Sequence, residues 1–196
     1  MRAKSEFLAH LWKMKYIRRW GLMRNVESEN LHEHSWQVAV TAHLLAVLYN
    51  EDAEKPVDPD RVAAAALFHE IGEAIVGDLP TPIKYFNQET QRAFEKLETS
   101  ARDRLLTTLP SSMQAGYRQL VCTGLEQTIE GNLIKAADRL CAYIKCRQEL
   151  KYGNSDFEYA VHQVRERLDS MDLPVIQRFL DEFIDAFELT IDELNR

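Results

Sequence analysis

Leu67-Phe68-His69-Glu70-Ile71-Gly72-Glu73-Ala74 decides how this chain is read. A histidine stands beside an acid, with a second acid three residues on. Periodicity places the stretch inside a helix that starts at Asp58, an N-cap followed by Pro59, and ends at Gly77. Residues four apart share a helical face, so His69 and Glu73 point the same way, with Glu70 about a quarter-turn off. One helix earlier lies an isolated His34, and much later an isolated Asp138. These are metal-competent side chains on three expected helices. Imidazole and carboxylate together suit borderline first-row cations. With no cysteine near these positions, a Cys-type structural zinc site is disfavoured. A bound ion makes hydroxide available from water at neutral pH, so the constellation points to metal-dependent hydrolysis of a phosphoester.

Each residue taken singly is weak evidence. A lone histidine in a first helical turn more often bonds to backbone than to a metal, and Asp138 could pair with Lys135 or Arg139 at a helix edge. The doublet also resembles the zincin protease motif, which needs a second histidine where Glu73 stands, so that reading falls away.

The rest of the chain supports an all-α protein. Gly and Pro number 7 and 6 in 196 residues, and strand-like alternation is hard to find. Helices are expected over about Ser5 to Tyr16, with Phe7, Leu8, Leu11, Met14 and Ile17 buried, and from Asn30, a capping box with Glu33, to Asn50. The turn Gly77 to Pro82 reads as too proline-rich to be helical. Further helices follow over about Asn87 to Leu109, from a Ser111/Gln114 capping box, over about Thr128 to Tyr152, from Ser155 with Glu158, and over about Pro174 to Asn195. The last carries a stripe of Ile176, Phe179, Leu180, Phe183, Ile184 and Phe187, read as core rather than dimer surface.

Charge is uneven. Residues 1 to 25 hold seven basic side chains, including Arg2 and Arg19, against Glu6 alone; with −7 for the whole chain, the remainder carries −13. An acidic body argues against nucleic-acid binding, which needs many phosphates neutralised at once, and a small basic region fits a small anion better. No apolar run approaches the roughly 20 residues of a membrane span, and no secretory h-region is expected. Cys122, Cys141 and Cys146 read as buried thiols of a reducing cytoplasm.

Four segments then resemble one family. Residues Ile17 to Asn25, Glu33 to Ala39, Gly77 to Asn87 and Ala137 to Lys145 look like the bacterial 5′-deoxynucleotidases of the HD-domain phosphohydrolases, the Gly-Asp-Leu-Pro-Thr-Pro turn most specifically. The resemblance runs from near residue 6 to about residue 190. It implies a single HD-type helical bundle over residues 1–196, a homodimer, and hydrolysis of deoxyribonucleoside 5′-monophosphates to deoxynucleoside and phosphate. By position it implies that His34, His69, Glu70 and Asp138 hold one divalent metal (Co, Mn, Zn, Ni or Cu). Glu73 would handle the attacking water, Arg19 the phosphate, Trp20 the nucleotide, and Asp78, Leu79, Pro80 and Thr81 the sugar. The turn's rigid wall near C2′ would favour deoxy substrates. One position departs: the family doublet is His-Asp, and here it is His69-Glu70, whose extra methylene moves the carboxylate outward by roughly 1 Å. A working site is favoured, because the other site residues are all present. The alternatives are an HD-type nucleoside triphosphate hydrolase and a weakened, nucleotide-binding protein.

Overall fold

The computed structural model describes residues 4–124 and 126–196; Arg2 of the basic segment lies outside them. The elements are helices α1 (Phe7–Trp12), α2 (Leu31–Asp52), α3 (Pro59–Ala66), α4 (Glu73–Val76), α5 (Thr81–Lys84), α6 (Gln88–Thr107), α7 (Ser111–Thr123), α8 (Ile129–Lys151), α9 (Glu158–Asp169), α10 (Pro174–Phe183) and α11 (Ile191–Leu194). Short 3-10 turns extend α1 over Lys13–Tyr16, precede α9 over Ser155–Phe157 and follow α10 over Ile184–Glu188. No strand occurs among the described residues, only an isolated antiparallel bridge between Arg18 and Asn30. The fold is all-α.

Helix starts follow the local chemistry. The Asn30 side chain accepts from the His32 and Glu33 amides, and Glu33 accepts in return from the Asn30 amide. Asp58 caps α3 through the Asp60 and Arg61 amides, with Pro59 in the first turn. Asn87 and Thr128 cap α6 and α8. Helix α2 packs most extensively on α3 and α8. Val38, Ala42, Leu45, Val62, Leu133 and Leu140 form the main apolar core there with Ile176 and Phe179 of α10. A smaller cluster of Phe7, Ile71, Leu105, Leu106 and Val121 closes the other end of the molecule. These buried side chains are worth roughly 1.5–3 kcal/mol each in removal from water, an upper bound because the unfolded chain buries some of the same surface.

Several expectations are corrected. Helix α3 ends at Ala66 rather than Gly77: the Phe68, His69 and Ile71 amides bond three residues back in tight turns. The His69 ring also sits 2.7 Å from the Ala66 carbonyl, which helix continuation would need. The proline turn is helical over Thr81–Lys84, because Pro82 falls in a first turn where its missing N–H costs nothing. Gln114 donates to the Leu109 carbonyl instead of closing a capping box, and Ser155 opens a 3-10 turn. The last helix breaks after Phe183, passes through an extended Leu189, and restarts under a Thr190/Glu193 capping box. Its core stripe holds for Ile176, Phe179, Leu180 and Ile184, while Phe187 is exposed, as is Leu8 of α1. Cys141 and Cys146 are buried, Cys122 only half so, and all three are free.

A buried polar knot ties the loop before α2 to α8. Glu149 accepts from the Val26 and Glu27 amides at 2.8 and 3.1 Å, from Lys145 at 2.5 Å and from Asn154 at 2.7 Å. Lys145 also donates to the Glu27 carbonyl, and Asn154 to that of Arg24 at 2.8 Å. Burial would push the Glu149 carboxyl up, but these donors outweigh it and hold it at about 2, below its ordinary 4.5. Its contribution to stability is therefore fully present above about pH 4.5 and is lost as the pH falls toward about 2. Glu149→Gln should cost about 3 kcal/mol at pH 7, because Lys145 is left buried without its charge partner. Urea titrations of both proteins across pH 7 to 3 should show that gap narrowing with acid; a pH-independent gap would contradict the assignment.

Candidate metal centre and its surroundings

Three segments deliver the central side chains. His34 lies in the first turns of α2, at a height fixed by the Asn30 cap. Asp138 lies in the middle of α8, and His69 and Glu70 occupy the tight turns between α3 and α4. One ligand atom from each of His34, His69, Glu70 and Asp138 lies within 4.8 Å of all the others. His34 Nε2 is 3.1 Å from Asp138 Oδ1 and 3.6 Å from Glu70 Oε2, and His69 Nε2 is 3.9 Å from Glu70 Oε1. The doublet therefore reaches the cluster from a turn, not from the shared helix face that spacing implied.

Whether these residues suit a cation can be judged from what they leave unsatisfied. The His34 side chain is wholly buried, yet neither of its nitrogens has an aligned hydrogen-bond partner, the close Asp138 oxygen included. His69 Nε2 is likewise buried without a partner. The short approach of His69 Nδ1 to the Ala66 carbonyl requires the proton on Nδ1, which leaves the Nε2 lone pair directed at the cluster. Buried polar atoms are rarely orphaned, and one divalent ion shared by His34 Nε2 and His69 Nε2 would satisfy both, while His34 Nδ1 faces Glu29 Oε1 at 3.9 Å. The donor set fits one. The commoner fates of the same residues are absent: Arg139 donates to the Arg167 carbonyl rather than to Asp138, and it is His32, not His34, that contacts backbone, at Leu11.

Arg19 stands beside the cluster because the Arg18–Asn30 bridge sets it opposite Glu29, its backbone N–H donating a hydrogen bond to the Glu29 carbonyl. Its guanidinium is held from two directions. Nε donates to Glu29 Oε2 at 3.0 Å, and Nη1 to both Glu70 oxygens at 3.0 and 3.2 Å. Burial alone would lower the Arg19 pKa, but Glu70, Asp138 and Glu29 outweigh it and keep the charge fixed. Burial would likewise push the Glu70 and Asp138 carboxyls up, and their basic neighbours hold them down. Trp20 follows with a positive φ of 59°, a conformation that costs a non-glycine residue about 1–3 kcal/mol. It is held there by its indole N–H donating to Glu29 at 3.1 Å and by its ring packing on Phe157 at 5.2 Å. Glu29, buried and shared by Arg19 and Trp20, has no signature in the sequence.

Glu73, at the first position of α4, is buried with Oε2 unpartnered. Burial and the nearby charges of Glu70 and Asp78 push its carboxyl up to about 10. Asp78 is raised as well, chiefly by burial, and stands close enough to feel Arg19 and Glu70. A cavity of about 260 Å³ opens here, lined by His69, Glu70, Glu73 and Asp138 of the predicted site. Arg19, Trp20, Asp78, Leu79, Pro80 and Thr81 do not line it. Leu79 and Pro80 are half-buried, and Thr81 is exposed.

Comparison with known proteins places this arrangement. A family model described as 5′-deoxynucleotidase YfbR-like matches residues 6–187. The chain is 40% identical to a 5′-deoxynucleotidase of Vibrio atlanticus, over 98% of this chain and 99% of that one. An HD-domain phosphohydrolase of Listeria innocua has the same fold, with a TM-score of 0.81 at 22% identity over 97% of this chain and 92% of that one. So does a cyanophage S-2L HD phosphohydrolase described as bound to dA and one catalytic Zn2+ ion, with a TM-score of 0.62 at 18% identity over 93% and 96%.

Gly72 lies between Glu70 and Glu73, where a Cβ would stand 2.8 Å from the Glu98 carbonyl oxygen of α6. Backbone cannot yield as a side-chain tip does. Gly72→Ala should therefore destabilise the protein by about 1–3 kcal/mol, an overpacking cost, seen as a fall in Tm. An unchanged Tm would show that α6 is free to move. The match over nearly the whole chain, together with the HD fold and the ligand cluster, makes this chain a member of the YfbR-like 5′-deoxynucleotidase family.

Proposed function

We propose that this chain hydrolyses deoxyribonucleoside 5′-monophosphates to deoxynucleoside and inorganic phosphate, as one HD-type domain over residues 1–196. The observation that carries the reading is the convergence of four ligand atoms within 4.8 Å beside the unpartnered carboxylate oxygen of Glu73, in a chain of this family. His34, His69, Glu70 and Asp138 would hold one divalent cation from among Co, Mn, Zn, Ni and Cu. Such an ion, when bound, supplies Lewis acidity toward a phosphoryl oxygen and toward water. Glu73 would take the proton of the attacking water; burial, Glu70 and Asp78 push its carboxyl up to about 10, and a cation held by the four ligands would draw it down. The water oxygen bonds to phosphorus as the P–O5′ bond breaks, and the leaving sugar oxygen takes a proton from solvent, to which Glu73 returns the one it took. Arg19 stabilises the phosphoryl oxygens through Nη2, the edge without a hydrogen bond among the described residues. Trp20 contacts the nucleotide. Asp78, Leu79, Pro80 and Thr81 form the sugar wall.

Two finer readings belong with this one. The free thiols, with Cys141 and Cys146 pushed up to about 12 by burial, suit a reducing cytoplasm, and no helix of the described residues is long and apolar enough to cross a membrane. The working unit is read as a homodimer, which the molecular mass in solution by light scattering would check.

Phosphate release from dAMP and AMP, with Mn, Co or Zn added, tests the activity. The expected result is release from dAMP at a rate at least roughly ten times that from AMP, the margin a close steric wall supplies. No release with any ion rejects the function, equal rates reject the sugar wall, and inorganic triphosphate from dATP would mark the alternative hydrolase. Glu73→Gln should lower kcat by about 10²–10⁴-fold while metal content is retained. Glu70→Asp should stay within about tenfold of the parent, and a gain near hundredfold would show the glutamate site to be impaired.

A further inference from the structure

Arg19 is the arginine the family pattern offers to the phosphate, yet two carboxylates already occupy most of its donors. Glu29 takes Nε and Glu70 takes Nη1. The cavity next to the ligand cluster holds three further cations: Lys84, Arg102 and Lys135. Lys84 is committed, bonded to Glu98 at 3.0 Å, which also neutralises that wall of the cavity. Arg102 of α6 is not. Its Nε is buried without a hydrogen-bond partner, and its guanidinium forms no ion pair among the described residues. A buried, unpaired guanidinium donor is costly, and an oxyanion is the partner its planar fork is shaped for. Lys135 is exposed and stands one turn before Asp138 on α8, so both project to the same side of that helix.

We infer that Arg102, with Lys135 at the rim, contacts the phosphate group of the substrate and of the released product. The inference rests on the proposed phosphomonoester hydrolysis and adds residues that the family pattern does not assign. The cavity volume agrees: about 260 Å³ is below the roughly 300–1,000 Å³ that encloses a drug-sized ligand, so it takes the phosphate end and leaves the base outside. Glu70, Glu73 and Asp138 line the same cavity, so an anion held by Arg102 sits against the ligand set and the proton acceptor together. Charge-assisted bonds from a guanidinium are among the stronger ones available, and the two oxygens of a phosphate match its fork.

The test compares the metal-loaded parent with Arg102→Gln, Arg102→Lys and Lys135→Gln. Inorganic phosphate binding is measured by calorimetry, the KM for dAMP by phosphate release, and deoxyadenosine binding by calorimetry as a phosphate-free control. Arg102→Gln should weaken inorganic phosphate and raise the KM for dAMP about tenfold or more, with deoxyadenosine affinity within about twofold of the parent. Arg102→Lys should lie between, retaining charge without the fork. Lys135→Gln, an exposed change with no folding liability, should weaken phosphate by about two- to fivefold. Unchanged phosphate affinity in both glutamine variants overturns the inference. So does an equal loss for phosphate and deoxyadenosine, or a parent that binds no phosphate. Failure of the proposed function reads differently: a parent that binds phosphate but turns over no nucleotide sinks the activity, while the Arg102 comparison keeps its meaning.

Discussion

A wholly buried imidazole with no aligned partner on either nitrogen is the constraint around which this molecule is arranged. Left alone, His34 would cost more than a neutral core residue at that position returns, since unmade hydrogen bonds in the interior are paid at the full desolvation price. Its surroundings are built to keep it there. The Asn30–Glu33 capping box fixes where α2 begins and hence the height of His34. The Arg18–Asn30 bridge, at the cap residue itself, sets Arg19 opposite Glu29. Helix α8, packed along α2, brings Asp138 to within 3.1 Å. One short stretch of chain thus decides both the first ligand and the arginine beside it.

Four helix starts were legible because capping is local chemistry: Asn30, Asp58, Asn87 and Thr128 cap as their residue types require, whereas Ser111 and Ser155 do not. Helix ends were not, where the apolar pattern runs on through a break. Nothing in Ala66-Leu67-Phe68-His69 announces that the histidine ring will take the Ala66 carbonyl, and Phe183 to Phe187 keep a core-like stripe while the backbone tightens into a 3-10 turn. The family motifs identified the cluster. Spacing alone placed His69 and Glu73 on one helix face that does not exist, although both still line the cavity. Glu29 and Arg102 stayed invisible, because one acid before a helix cap and one arginine in a polar helix look like solvated charges until the fold encloses them.

Glu70 links these observations. Its carboxylate lies 3.6 Å from His34 Nε2 and presents both oxygens to Arg19. That second contact has two consequences. It fixes the negative charge of Glu70 beside the buried cluster, and it leaves Nη2 as the edge of Arg19 that can meet a phosphoryl oxygen. Glu29, Glu70, Asp78 and Asp138 crowd negative charge around the site, so a phosphate dianion enters where cationic groups offset them. Glu29 and Glu70 occupy most of Arg19, and Glu98 occupies Lys84. What remains is Arg102, half-buried with its Nε unpartnered, with Lys135 at the opening. Arg19, pinned by Glu29 and Glu70, keeps one edge for the phosphate, and the unpartnered Nε of Arg102 adds a second donor from the cavity wall.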